Sequence, residues 1–543
     1  MSDRPNIVLI LNDDMGYSDV GCYGGEVQTC HLDGLAAGGL RFTQFYNTAR
    51  CSPSRASLLT GLHPHQTGIG ILTDDTGPEG YAGNLNKRCV TIAEVLGKAG
   101  YSTYMSGKWH VAHDFVNVTD AWPCQRGFER HYGTISGGGS YFDPNTLTRD
   151  NRDICQEARA ADFYYTDAIS DNAAAFISEH ARRGGQGVLS VSKDAATRPG
   201  RPFFLYVAYT APHWPLHALE EDVAKYRGRF DAGWDRLRAE RLKRMVDMGI
   251  IDPSWRLTDR DGREVPWEQA QHKEWQTRRM EVYAAQIDRM DQGIGRIIAA
   301  LEAGGRLDNT LIMFLSDNGA CEELIGPHRE GFVRGHIARE KTRDARLVRF
   351  GNDPLVMPGG EDTYQSYGIA WANLSNTPFR KYKHWTHEGG IATPLVVHWP
   401  ARITARGELR HQPGQLTDVM PTILEVAAAE YPTSFNGNEI LPCEGASMVP
   451  IFHDRSNNRG AMCWEHEGNA AVRQGKWKLV RDYPGDWELY DTQADRTETN
   501  NLAARHPDRV RRMAGEYQAW ADRCGVVPRE KILQIKKRLR HQY

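Results

Sequence analysis

No run of the sequence is apolar for long enough to span a bilayer, so a membrane-embedded chain is not expected. Cysteine is sparse and scattered. Ten stand at Cys22, Cys30, Cys51, Cys89, Cys124, Cys155, Cys321, Cys443, Cys463 and Cys524, with no C-x-x-C pair among them. That spread excludes a disulfide-stapled small domain and offers no zinc-ribbon spacing; it suits free thiols in a reducing compartment. Neither sign of charge dominates. The formal net charge of −3 gives no global field to recruit nucleic acid. The leading "IVLIL" lacks a basic flank and a small-residue cleavage site, so it reads as a buried strand rather than a signal peptide. The expected location is cytoplasmic, with no membrane partner.

What is present is ordinary globular material, 40% hydrophobic and 25% charged. Its 543 residues exceed what one core serves, so a large domain over residues 1–430 and a smaller one over 431–543 are expected. Short apolar runs read as strands: "NIVLILN" (6–12), "LRFTQFYN" (40–47), "YSTYMS" (101–106), "RPFFLYVAYTAPH" (201–213), "TLIMFLSDNGA" (310–320) and "TPLVVHWPA" (393–401). Helical patterns alternate with them at 91–100, 164–183, 278–305 and 417–429, the last with Thr417 as N-cap. This alternation predicts an α/β fold, a large mainly parallel (mixed) sheet sandwiched by helices. The Gly- and Ser-rich 182–200 reads as a surface loop, and the charged, helical 226–276 as an insertion. After about residue 430 the pattern changes to antiparallel strands and a closing helix, a smaller α+β domain. The tail "REKILQIKKRLRHQY" is basic and amphipathic; it reads as a helix on its own subunit, or as a contact in a homo-oligomer.

In parallel α/β sheets ligands gather at the carboxyl ends of the strands. Asn12, Asp13 and Asp14 follow the first strand, Asp317 and Asn318 follow "TLIMFLS", Lys108 and His110 follow "YSTYMS", and His213 follows "FFLYVAY". One Asp at a strand end is commonly a cap or turn residue. Two such acidic pairs on one edge are different: Asp13, Asp14 and Asp317 could not all stay ionised there without a cation. With the amide oxygen of Asn318 they make an all-oxygen site, suited to Ca²⁺, Mg²⁺ or Mn²⁺ and poorly suited to Zn²⁺. In "NTARCSPSRASLLTG" (47–61), Pro53 sits where a first helical turn tolerates it and Ser52 can cap. Cys51 then lies at the positive end of a helix, with Arg55 on the same face, a setting for a nucleophile.

Cys51-Ser52-Pro53-Ser54-Arg55 followed by "ASLLTG" resembles the signature of the type I sulfatases, within the alkaline phosphatase superfamily. "NIVLILNDDMGYSDVGCYGG", "GYSTYMSGKWH", "APHWPLHA", "LDNTLIMFLSDNGA" and "YKHWTHEGGIATPLVVHWP" follow in the order that bacterial arylsulfatases show. The resemblance implies an alkaline phosphatase-like fold and hydrolysis of small-molecule sulfate monoesters. It implies that a formylglycine-generating enzyme converts Cys51 to Cα-formylglycine, whose hydrate attacks sulfur. Asp13, Asp14, Asp317, Asn318 and the modified Cys51 then match the calcium site. Arg55 matches the residue that steadies the hydrate, and Lys108, His110, His213 and Lys383 match the polar shell around the sulfate. Lys381 stands two residues from Lys383, and only the alignment of "YKHWTHEGG" favours the latter. Phosphonate monoester and phosphodiester hydrolases share the fold and the device and form the alternative, alone or as side activity. A calcium-binding scaffold with an unmodified Cys51 is the non-enzymatic one. Tyr141, Phe142 and Trp214, in or beside "SGGGSYFDPNT" and "HWPLHALEE", are candidates to stack on a leaving group.

Overall fold

The computed structural model describes residues 4–185, 200–326, 329–330, 337–457 and 459–540. Eight strands come first along the chain: β1 (Asn6–Asn12), β2 (Leu40–Tyr46), β3 (Ser102–Gly107), β4 (Arg130–Thr134), β5 (Leu147–Arg149), β6 (Arg152–Asp153), β7 (Phe203–Ala208) and β8 (Thr310–Ser316). They build an eleven-stranded sheet ordered Glu408–Arg410, β2, Ala392–His398, β8, β1, β7, β3, β4, β5, β6, with Gly414–Gln415 also paired to β2. β8, β1, β7, β3 and β4 are mutually parallel; Ala392–His398 runs antiparallel to both β8 and β2. The sheet is thus mixed, with a parallel centre.

The central strands β1, β3, β7 and β8 are buried at every position because both faces are covered. In β1, Val8 and Ile10 join one core while Ile7, Leu9 and Leu11 join the other. β8 divides the same way, with Ile312 and Phe314 on one side and Leu311, Met313 and Leu315 on the other. Each such side chain contributes roughly 1.5–3 kcal/mol by leaving water. One face carries the helices Tyr165–Gly185 and Lys273–Ala303; the other carries Cys51–Thr60, Ile92–Lys98 and Val419–Ala427.

Past residue 430 a separate four-stranded antiparallel sheet runs Met462–His466, Asn469–Gln474, Trp477–Arg481, Glu488–Asp491, with the helix Pro507–Cys524 packed on it. A second helix, Arg529–Arg540, follows. Glu388, Lys478, Arg496 and Glu498, all fully buried, join this sheet to the segment before Ala392.

One local expectation, the Thr417 cap, is overturned, and the helical reading of 226–276 holds for only part of that stretch. Residues 226–276 are helical over Gly233–Asp247 and again from Lys273, with a 3₁₀ turn at Trp267–Gln269 between. The stretch is tied to the main domain: Arg241, fully buried, pairs with Asp19 at 2.9 Å and with Glu26. Thr417 does not cap a helix. It lies in a 3₁₀ turn, Leu416–Asp418, where Asp418 accepts from the Gln415 backbone N–H. Most of 182–200, from 186 to 199, lies outside the described residues. No helix among the described residues is long and apolar enough to cross a membrane.

Candidate active site

The carboxyl ends of β1, β8, β3, β7 and β2 open on one edge of the sheet. Gly107, at the end of β3, has φ +121°, and a Cβ there would meet the carbonyl oxygen of Ala208 at 1.9 Å. Only glycine allows this approach. It lets the Lys108 backbone N–H donate to Ala208 at 2.7 Å and turns Lys108 inward. Asp14 (φ 65°) and His110 (φ 55°) take left-handed backbones beside it, a conformation costly for side chains with a Cβ and concentrated at functional sites.

Asp13, Asp14, Asp317 and Asn318 are all buried at this edge. Lys108 Nζ donates to Asp13 Oδ2 at 2.5 Å, and Arg55 Nη2 to Asp317 Oδ2 at 2.9 Å. Asn318 Nδ2 donates to Asp14 Oδ1 at 2.7 Å, and Lys383 Nζ to Asp14 Oδ2 at 2.9 Å. Burial pushes the Asp13 carboxyl up, but Lys108, His213, Arg55 and Lys383 outweigh it and hold it below the carboxylate range. Asp14 is likewise held low against burial, by Lys383 and His213. Asp317 goes the other way: burial, then the charge of Asp13, push it up to about 7. Asp13 Oδ1 and Asn318 Oδ1 are buried with no partner among the described residues. Asp13 and Asp317 share Arg55 Nη2, at 3.7 and 2.9 Å, and Asp13 and Asp14 lie at ligand distance from each other with His213 beside them. Buried carboxylates with orphaned oxygens, in a set dominated by oxygen donors, fit a hard divalent cation.

Cys51 opens the helix α2 (Cys51–Thr60) and is 3% exposed. Ser52 does not cap it. Arg50, extended at φ −151°, stands at the N-cap, and Ser52 Oγ is buried without a partner among the described residues. Ser54 Oγ instead accepts the Thr48 backbone N–H at 3.0 Å. Burial raises the Cys51 thiol, with Lys108 and Lys383 opposing. Arg55, one turn on, also donates to the Lys108 carbonyl at 3.0 Å, so α2 is tied to both β3 and β8.

A cavity of about 790 Å³ lies over Cys51, and His110, His213 and Lys383 line it. His213 donates from Nδ1 to the Trp214 carbonyl at 2.6 Å, leaving Nε2 3.4 Å from Asp14 Oδ2. Burial, then the cations Lys108 and Arg55, hold His110 well below the usual histidine range. Its ring is pinned close to Gly137, where a Cβ would meet it at 2.2 Å. Lys381 does not reach this cavity; it pairs with Asp482 at 2.6 Å. Trp214 lines the cavity, while Tyr141 and Phe142 do not. Tyr141 is 1% exposed and donates to the carbonyls of Thr210 and His213, and Phe142 packs on Tyr164 and His217.

The sequence reading passed over Glu323. Its carboxylate accepts from Arg50 at 2.9 Å, from Trp214 Nε1 at 2.8 Å and from His384 at 3.1 Å, so it ties three parts of the cavity wall together. Nothing in "ACEELIG" signals this, because its partners lie between 61 and 273 residues away. Arg50 was overlooked although it adjoins Cys51.

A family model described as Sulfatase matches residues 5–429, and one described as N-sulphoglucosamine sulphohydrolase, C-terminal, matches 379–513. An uncharacterized sulfatase of Schizosaccharomyces pombe is 32% identical over 561 residues, covering 97% of this chain and 95% of that protein. An arylsulfatase of Klebsiella aerogenes is 32% identical over 476 residues, covering 84% and 94%. Among solved structures, Ps i-CgsB in complex with k-i-k-neocarrahexaose superposes with a TM-score of 0.65 at 24% identity, covering 95% of this chain and 93% of that one. The phosphonate monoester hydrolase of Agrobacterium radiobacter gives 0.57 at 18% identity, covering 96% of each. These two establish the fold alone.

Proposed function

Because the chain belongs to the sulfatase family, within the alkaline phosphatase superfamily, and is a sulfuric ester hydrolase, we propose that it acts through a formylglycine formed at Cys51. The observation that carries this is the shared cavity. Cys51 opens α2 in the same space as His110, His213 and Lys383, beside the oxygen cluster of Asp13, Asp14, Asp317 and Asn318. A formylglycine-generating enzyme would act on Cys51 before folding, since the thiol is buried in the folded chain. Hydrated, the aldehyde supplies one hydroxyl to attack sulfur and a second whose deprotonation expels sulfate. Asp13, Asp14, Asp317, Asn318 and residue 51 would hold a Ca²⁺ ion, which would supply positive charge against the sulfate oxygens.

The chain's own residues have distinct tasks in this reading. Arg55 fixes Asp317 and orients the first turn of α2. Lys108 and Lys383 keep Asp13 and Asp14 ionised and present ammonium groups towards the reacting sulfate. His213 delivers a proton from Nε2 to the departing oxygen only in its imidazolium form, which burial disfavours and the Asp14 and Asp13 carboxylates favour. His110 is held neutral by burial and neighbouring cations, so it can accept the proton that releases sulfate. Trp214 offers an aromatic face to the leaving group.

Mass spectrometry of the residue-51 peptide, paired with turnover of an aryl sulfate and a phenylphosphonate ester, tests the reading. Formylglycine, lighter than Cys and reactive with hydrazines, should accompany a dominant kcat/KM for the sulfate ester. Turnover by protein with a quantitatively unmodified thiol would refute the mechanism. A dominant phosphonate activity would refute the substrate ranking. The phosphonate reading has only fold likeness behind it, whereas the relatives at 32% identity are sulfatases.

A further inference from the structure

One wall of the cavity over Cys51 comes from Leu72, Thr73 and Asp74. They belong to a closed surface turn. Gly83 N donates to Gly68 O at 3.0 Å, Gly70 N to Gly80 O at 2.8 Å, and Thr76 N to Tyr81 O at 3.0 Å. Such a turn has a small core of its own and needs support from outside. On its inner side His113 Nδ1 donates to the Thr73 carbonyl at 2.6 Å. On its outer side the support is the end of the chain.

Ile71, Tyr81 and Ile532 form a separate buried cluster, 7%, 3% and 1% exposed, with Leu72 and Val527 packed against it. Tyr81 Oη accepts the Val527 backbone N–H at 3.0 Å and donates to the Val527 carbonyl at 3.4 Å. Arg529 pairs with Glu467 at 3.0 Å, which anchors the start of the terminal helix to the antiparallel sheet. The basic, amphipathic helix Arg529–Arg540 therefore presses its buried isoleucine onto the turn whose next residue lines the cavity. Leu72 belongs to both: it lines the cavity and packs on the cluster.

We propose that this C-terminal helix is a specificity-determining part of the enzyme, positioning the Leu72 wall and so the width offered to the leaving group. Ile532 and Tyr81 are positioning residues; neither lines the cavity over Cys51. The inference rests on the sulfatase reading above. Loss of the Ile532 contact lets the turn relax away from Cys51 and leaves the oxygen cluster untouched. The effect then falls on the leaving group and spares the reacting sulfate.

The test uses the full-length, formylglycine-verified protein and two aryl sulfates of similar leaving-group acidity, the one-ring 4-nitrophenyl and the two-ring 4-methylumbelliferyl ester. Ile532→Ser and Tyr81→Phe should each shift the ratio of the two KM values by about threefold or more, in the same direction, with kcat for the smaller ester held within about twofold. Leu72→Ala, which leaves the helix in place, should shift the same ratio. A lowered Tm with unchanged KM ratios in the two helix-contact variants overturns the proposal, since it marks a purely structural contact. Should those two fail to fold, an unchanged ratio in Leu72→Ala overturns it. Formylglycine-verified wild-type protein that turns over neither ester contradicts the aryl leaving group on which the proposal rests and so overturns it, a different failure from turnover with constant ratios.

Discussion

Arg55 Nη2 donates to Asp317 Oδ2 at 2.9 Å, and neither side chain is exposed to solvent. The pair joins the first helical turn after Cys51 to the end of β8, 262 residues later. It couples the place of the nucleophile to the place of the cation. Removing one partner strands the other charge in the interior.

Arg55→Ala should accordingly lower both stability and turnover. Leaving Asp317 unpaired costs about 3–5 kcal/mol. The Asp317 carboxyl, already pushed up to about 7, would rise further, because Arg55 is the leading cation lowering it. A protonated Asp317 is a poor cation ligand, so kcat/KM should fall by about 10²-fold or more. Thermal unfolding and steady-state kinetics measure the two losses separately. An unchanged kcat/KM would separate Arg55 from the chemistry.

Cys51→Ala should abolish turnover while leaving the fold intact. The side chain loses only a buried thiol at a helix start, worth about 1 kcal/mol. Residual activity within about tenfold of wild type would show that residue 51 is not the nucleophile.

Metal removal should destabilise as well as inactivate. Asp13, Asp14 and Asp317 repel one another, and Asp13 Oδ1 and Asn318 Oδ1 have no protein partner among the described residues. Chelation should lower Tm, and Ca²⁺ should restore both Tm and activity by mass action. Zn²⁺, which prefers nitrogen and sulfur ligands, should restore them less well. A Tm indifferent to chelator and Ca²⁺ in the Cys51→Ala variant would argue against the cation site without reference to activity.

The buried cluster of Glu388, Lys478, Arg496 and Glu498 predicts acid sensitivity. Burial raises the Glu388 carboxyl, but Lys478, Arg496 and Arg473 outweigh it and bring it from 4.5 down to about 2. A depressed folded-state value means that Glu388 contributes its full stability above pH 4.5. That contribution is lost as pH falls from 4.5 through about 2. Glu388→Gln should be less stable at neutral pH by about 3 kcal/mol, and the gap to wild type should narrow below pH 4.5 and close only near pH 2. Chemical denaturation at a series of pH values follows it. A gap independent of pH would assign the loss to packing.

Much of this protein was legible along the chain. Near-continuous apolar runs, in place of alternating ones, announced a sheet covered on both faces, because each face needs its own alternate residues, as Ile7, Leu9 and Leu11 against Val8 and Ile10 show. The acidic and basic groups following β1, β3, β7 and β8 were local too, and parallel strands bring their carboxyl ends to one edge without further instruction. The Cys51 motif and its helix were likewise contained in fifteen residues.

What the chain by itself determined, then, was a set of elements and the chemistry at their ends; which groups meet was decided only in three dimensions. Lys381 and Lys383 are indistinguishable as text, yet one pairs with Asp482 and the other with Asp14. Left-handed backbones at Lys381 and His384 turn the chain between them, and such turns leave no periodic trace. Glu323 reaches Arg50 and Trp214, and Ile532 reaches Tyr81, across hundreds of residues. Periodicity reports which way a side chain faces within its own element, and is silent about what the folded core carries to meet it.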